Sequence, residues 1–118
     1  MRLVEISYDT AHPVQGYGPG FFRVGDHVLR GACLITPWDA GLWGGLNDTA
    51  TPLTLTGRID VLLLGMGAEV AYPPAGFVTA LQEAGIGVEA MTSPAACRTY
   101  NVLLGEGRRI AAALLPVA

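Results

Sequence analysis

Hydrophobic and polar residues alternate along the first third of the chain, whereas the second half carries continuous apolar runs separated by helical periods. The alternation in Leu3 to Ser7, Phe21 to Val24 and His27 to Arg30 predicts short, half-buried strands. Gly25-Asp26 between the last two predicts a two-residue hairpin, because glycine supplies the positive φ that such turns use. Tyr17-Gly18-Pro19-Gly20 reads as a loop by composition, and Ala32 to Thr36 as a strand stopped by Pro37. Trp38 to Asp48, with three glycines, reads as irregular, and Leu53 to Leu55 fits either a helical turn or an edge strand.

From Ile59 the signals sharpen. Ile59 to Leu64 is an apolar run broken only by Asp60, and it stops at Gly65-Met66-Gly67 in the manner of a strand covered on both faces. Pro73-Pro74 opens a helix whose apolar stripe is Phe77, Val78 and Leu81, and Gly85 stands where its C-terminal turn should end. Gly87 to Met91 predicts the next strand. Thr92 or Ser93 can cap a helix with Pro94 in its first turn, running through Asn101 to about Gly105, before a last strand from Arg109 to Leu115. Strand, helix, strand, helix, strand implies right-handed crossovers. The expected fold is therefore α/β: one domain over residues 1–118 in three layers, with a mostly parallel central sheet flanked by helices and an antiparallel hairpin portion at the N-terminus.

Composition narrows the function. The chain has 118 residues, 51% of them hydrophobic and 14% charged, enough for one well-buried core. A formal charge of -3 with seven dispersed arginines argues against a nucleic-acid surface. No apolar stretch approaches the ~20 residues of a membrane span. The start, Met1-Arg2-Leu3-Val4-Glu5-Ile6, reads as a strand and carries neither a signal peptide nor an amphipathic presequence, so the expected setting is a bacterial cytoplasm. Cys33 and Cys97 then belong in a reducing compartment without a disulfide.

Candidate chemistry concentrates at two strand-to-helix junctions. Gly65-Met66-Gly67 ends a buried strand, where an α/β fold can present backbone amides to an anion; the alternative is a plain turn, and Val70 stands where a dinucleotide fingerprint needs glycine. The stretch from Met91 to Asn101 places Thr92, Arg98, Thr99 and Asn101 at and just inside one helix start. Arg98 could hold an anion or a partner's carboxylate, or Arg98 and Asn101 could tie down a neighbouring loop. Cys97 lies near the same helix start, but His12 and His27 cannot be placed beside it as a general base, and a buried structural thiol is the alternative. Two cysteines and two histidines at unpaired spacings predict neither metal nor cofactor. Trp38, Trp43 and Tyr17 sit in glycine-rich segments, where large aromatics either plug a small core or contact another protein.

The order of Tyr17 to Gly25, Gly31, Pro37-Trp38, Asp60 to Gly67, and Glu89 through Thr92 to Asn101 resembles a small α/β family of unknown function that includes the human mitochondrial complex I assembly factor 3. The resemblance spans nearly the whole chain and is most specific from Glu89 to Arg108. It implies a three-layer fold, no established enzyme activity, and a partner protein such as a respiratory assembly intermediate. It also draws attention to Gly65, Gly67, Thr92, Arg98, Thr99 and Asn101. The first expectation is thus a non-catalytic interaction or assembly module using Trp38 and the Arg98 region, with self-association left open. The alternative is a protein that binds, or an enzyme that acts on, a small anionic ligand at the Gly65–Gly67 turn and the Arg98 helix start.

Overall fold

The computed structural model describes residues 12–118, so the strand expected over Leu3 to Ser7 lies outside the described residues. Strand β6 (Val61–Met66), built from the apolar run, lies inside a five-stranded sheet. Strands β4 (Cys33–Ile35) and β5 (Ala40–Leu42) form an antiparallel hairpin closed by the turn from Thr36 to Asp39. Strand β7 (Gly87–Met91) runs parallel to β6 on one side, and β8 (Ile110–Leu115) runs parallel to it on the other. Because β4 joins the outer side of β8 antiparallel, the order is β5-β4-β8-β6-β7.

The sheet is therefore mixed, which corrects the expected mostly parallel arrangement. Parallel pairing arises only where a helix carries the chain back across the sheet, as α2 (Ala75–Glu83) and α3 (Ser93–Gly105) do between β6, β7 and β8. The short turn after β4 can make only an antiparallel neighbour. A separate antiparallel sheet holds β1 (Val14–Gly18), β2 (Phe21–Val24) and β3 (His27–Arg30). The Gly25-Asp26 hairpin joins β2 to β3 as expected, Gly25 having φ +58°. Tyr17 and Gly18, expected in a loop, close β1 instead, and only Pro19 and Gly20 turn.

Alternation along the buried strands sorts the core into two layers. Leu62 and Leu64 of β6, with Ala111 and Ala113 of β8, pack on one face against Phe77 and Leu81 of α2, Trp43, and Leu55 just after the one-turn helix α1 (Ala50–Leu53). Leu63, Ala112 and Leu114 pack on the other face with Ala96, Cys97 and Tyr100 of α3 and with Val14, Phe22, Val24 and Leu29 of the smaller sheet. Three layers result, as the sequence predicted. Each fully buried leucine contributes about 1.5–3 kcal/mol of transfer free energy, so β6 is the main anchor of both cores.

Candidate functional site

The register of the parallel strands sets Gly65 opposite Met91 on one side and Leu114 on the other, so three strand ends meet where α3 begins. Thr92 caps that helix, its Oγ1 accepting from the Ala95 amide at 3.3 Å. The next residue, Ser93, is wholly buried at 0% exposure and joins the three ends. Its amide donates to the Gly67 carbonyl at 2.8 Å, its Oγ accepts from the Gly67 amide at 2.9 Å, and the same hydroxyl donates to the Leu115 carbonyl at 2.5 Å.

This junction leaves no space for a side chain at Gly65. A Cβ there would lie 2.7 Å from Ser93 Oγ, 2.8 Å from Ser93 Cα and 2.9 Å from Leu114 Cδ2. Gly67 has φ +94°, a conformation open to glycine. Together these facts give Gly65 and Gly67 a packing reason. They also commit the Gly67 amide to Ser93, which removes a donor that an anion cradle at this turn would need. Met66 between them is half-buried.

The remaining residues of the expected cluster separate. Asn101 turns toward the smaller sheet, where its Oδ1 accepts from the Val14 amide at 2.7 Å and its Nδ2 donates to the Val14 carbonyl at 3.0 Å. Its side chain thus pairs with β1 as a neighbouring strand's backbone would. Thr99 is half-buried on the same helix, while Arg98 is exposed and, among the described residues, forms no hydrogen bond or ion pair. Cys97 is buried in the α3 layer; burial pushes its thiol up to about 11, against an opposing pull from Arg98. Burial, reinforced by Cys97 nearby, pushes the Cys33 thiol up as well. Both thiols are free and protonated at neutral pH, which is the opposite of an activated nucleophile.

Trp38 lies at the other end of the molecule. β4 runs antiparallel to β8, so Thr36 to Asp39 follow Ile35 past Ala112 toward the start of β8, where β6 also begins. The Thr36 hydroxyl closes this turn by donating to Asp39 Oδ1 at 2.8 Å and accepting from the Trp38 and Asp39 amides at 3.1 and 3.0 Å. Trp38 is left 38% exposed, with the Arg58 guanidinium 4.1 Å above its ring centroid. Trp38 and the Gly65–Gly67 junction therefore belong to opposite ends of the sheet.

Trp43 fills the core instead: it is 3% exposed, its ring lies 5.9 Å from that of Phe77, and its Nε1 donates to the Asp48 carbonyl at 2.9 Å. Asp48 organises the segment around it, its carboxylate accepting from the Gly44 amide and from the Thr51 amide and hydroxyl. Burial raises the Asp48 carboxyl, and these hydrogen bonds more than reverse that, holding it below its ordinary value. Tyr17 is exposed. Sequence reasoning missed the roles of Ser93, Asp48 and Arg58; for Asp48, the available signal was an Asx residue three positions before Thr51, at the start of a helical turn.

A mixed sheet with helices on both faces, a glycine-serine junction at its strand ends and an aromatic-arginine turn opposite define a small α/β domain. The chain belongs to the family described as Protein of unknown function (DUF498/DUF598), whose pattern matches residues 14–115. An uncharacterized protein of Rhodobacter capsulatus is 47% identical over 113 residues, covering 96% of this chain and 91% of that protein. The NADH dehydrogenase [ubiquinone] 1 alpha subcomplex assembly factor 3 of Danio rerio is 33% identical over 87% of this chain, which spans 63% of that protein's length. Among solved structures, one described as an outer membrane protein from Bartonella henselae superposes with a TM-score of 0.83 at 34% identity, covering 92% of this chain and 98% of that one. Among the described residues, no helix is long and apolar enough to cross a membrane.

Proposed function

We propose that this chain is a non-catalytic protein-binding module that assists assembly of respiratory complex I. The observation that carries the reading is kinship with assembly factors: the Danio rerio protein matches 87% of this chain, a share that must include most of the folded domain. Physical chemistry points the same way. The polar groups best placed to serve a small ligand, the Gly67 amide and Ser93, are paired with each other, and the thiol at the helix start is held protonated. What stays available to a partner is side chains: Trp38 with Arg58, and Arg98 on the outer face of α3.

Deleting the gene in the cell that makes this protein tests the role. The expected outcome is less assembled complex I on native gels and lower NADH:quinone activity in membranes, both restored by the wild-type gene. Normal complex I in the deletion strain would remove the assembly role.

A further inference from the structure

The smaller sheet has an inner face that helps form the core and an outer face that nothing among the described residues covers. Register assigns the two sides. Phe22 pairs with Leu29 and points inward, both buried, whereas Phe21 pairs with Arg30 and Arg23 pairs with Val28 on the outer side. On β1 the positions opposite Arg23 and Phe21 are Gly16 and Gly18. The Phe21 ring lies directly over Gly18, so close that a Cβ there would stand 2.5 Å from it. The outer face is thus low on its β1 side, with a flat aromatic beside two guanidinium groups.

The charge on this face runs against that of the whole chain. The formal charge is -3, yet the outer-face positions of β2 and β3 carry Arg23 and Arg30 and no carboxylate, the nearest acid in sequence being Asp26 in the hairpin turn. The Arg30 guanidinium carbon lies 6.0 Å from the Phe21 ring centroid, the outer reach of a cation–π contact, which sets a planar donor group beside the exposed aromatic edge. Arg23 donates only a long 3.4 Å bond to the Gly25 carbonyl. Neither arginine forms an ion pair with a described residue. Val28, 49% exposed beside them, adds apolar contact.

We infer that the outer face of the β1-β2-β3 sheet docks an acidic, extended segment of the partner protein, whose carboxylates pair with Arg23 and Arg30 while its apolar side chains lie on Phe21 and Val28. This rests on the reading of the chain as a protein-binding module and adds the place and the chemistry. Bidentate pairing of guanidinium with carboxylate gives such a surface its selectivity. A nucleic-acid strand is the lesser fit, since two cations on an acidic protein release few counterions.

Backbone amide shifts of the 15N-labelled protein test the inference directly. Three probes are titrated: a ten-residue peptide alternating glutamate and valine, its glutamine counterpart, and decauridylate. The glutamate peptide should move the amides of Phe21, Arg23, Val28 and Arg30, bind about tenfold more tightly than the glutamine peptide, and weaken as salt rises to ~0.5 M. The Arg23→Glu, Arg30→Glu double variant should keep the wild-type melting temperature and lose the shifts. Shifts confined to other surfaces, no shifts at all, or binding of decauridylate in preference would overturn the proposal. In the deletion strain the same double variant separates the two ideas. If it restores complex I as well as wild type does, the docking face is wrong and the assembly role stands; if the deletion itself leaves complex I normal, the assembly role fails and the titration alone decides the face.

Discussion

Ser93 shows how one small hydroxyl can set the geometry of three strands. It is both the donor that Leu115 uses and the acceptor that Gly67 uses, and its own side chain is wholly buried. Ser93→Ala should therefore leave the buried Gly67 amide unpaired and the part-buried Leu115 carbonyl without its hydroxyl donor, and destabilise by about 1–3 kcal/mol, read as a shift of the urea midpoint at unchanged slope. A loss below about 0.5 kcal/mol would mean that the junction tolerates water. A cap at Thr92 or Ser93 was legible, because a hydroxyl residue before proline and an apolar stripe is a local signal, and the structure gives the role to Thr92. The part played by Ser93 was not, since its partners lie 26 and 22 residues away and become neighbours only when β6 and β8 pair. The thiols carry a pH prediction at the same scale. Cys97 is raised in the folded state to about 11, above the ordinary thiol value, so folding binds its proton more tightly than the unfolded chain does. Its contribution is complete below about pH 8.5 and is lost as pH climbs toward 11; Cys33 acts in the same direction. Stability should accordingly decline along this alkaline limb, and the Cys33→Ala, Cys97→Ala double variant should flatten it in urea melts at stepped pH.

Elements succeeded or failed in the sequence according to how local their causes are. β6, α2, β7, α3 and β8 follow from apolar runs, caps and stops within a few residues, and each appears where expected, to within about two residues at the ends. β1 and β5 were hidden because both are glycine-bearing and exist through their partners. β5 is a three-residue strand held by β4, and β1 contains two glycines and an irregular register between Val14 and Gly16. β1, the edge of the smaller sheet among the described residues, also pairs with Asn101, whose amide group bonds both backbone groups of Val14. Replacing Asn101 with Leu should release this edge while leaving the central sheet intact. Hydrogen exchange would show it: the Val14 amide should lose most of its protection, while amides in β6 change only in proportion to global stability. Uniform loss across both sheets would mean instead that α3 and β1 unfold as a single unit.

At the level of the whole molecule, the two regions expected to meet a partner, Trp38 and the Arg98 helix start, fall at opposite ends of the sheet. Both were read as available to a partner, and nothing in a linear sequence says which end of a sheet a turn will occupy. The antiparallel entry of β4 decides it, carrying Trp38 to the end where β6 begins, while the Gly65–Gly67 junction stays at the end where β6 stops. That separation makes partner contacts at the two ends independently removable. Trp38 is only partly covered, and the turn that presents it is closed by Thr36 and Asp39 without help from its indole. Trp38→Ala should therefore cost about 1 kcal/mol, mainly the lost stacking with Arg58, and leave the fold unchanged. If this end meets the assembly partner, the variant should restore less complex I to the deletion strain than wild type at equal protein level, as expected for a central aromatic contact. Arg98→Ala, exposed and unpaired among the described residues, should be nearly neutral for stability and reports on the opposite end. Full restoration by both variants would confine the partner to surfaces away from the sheet ends, leaving the arginine-bearing face of β2 and β3 to carry the contact.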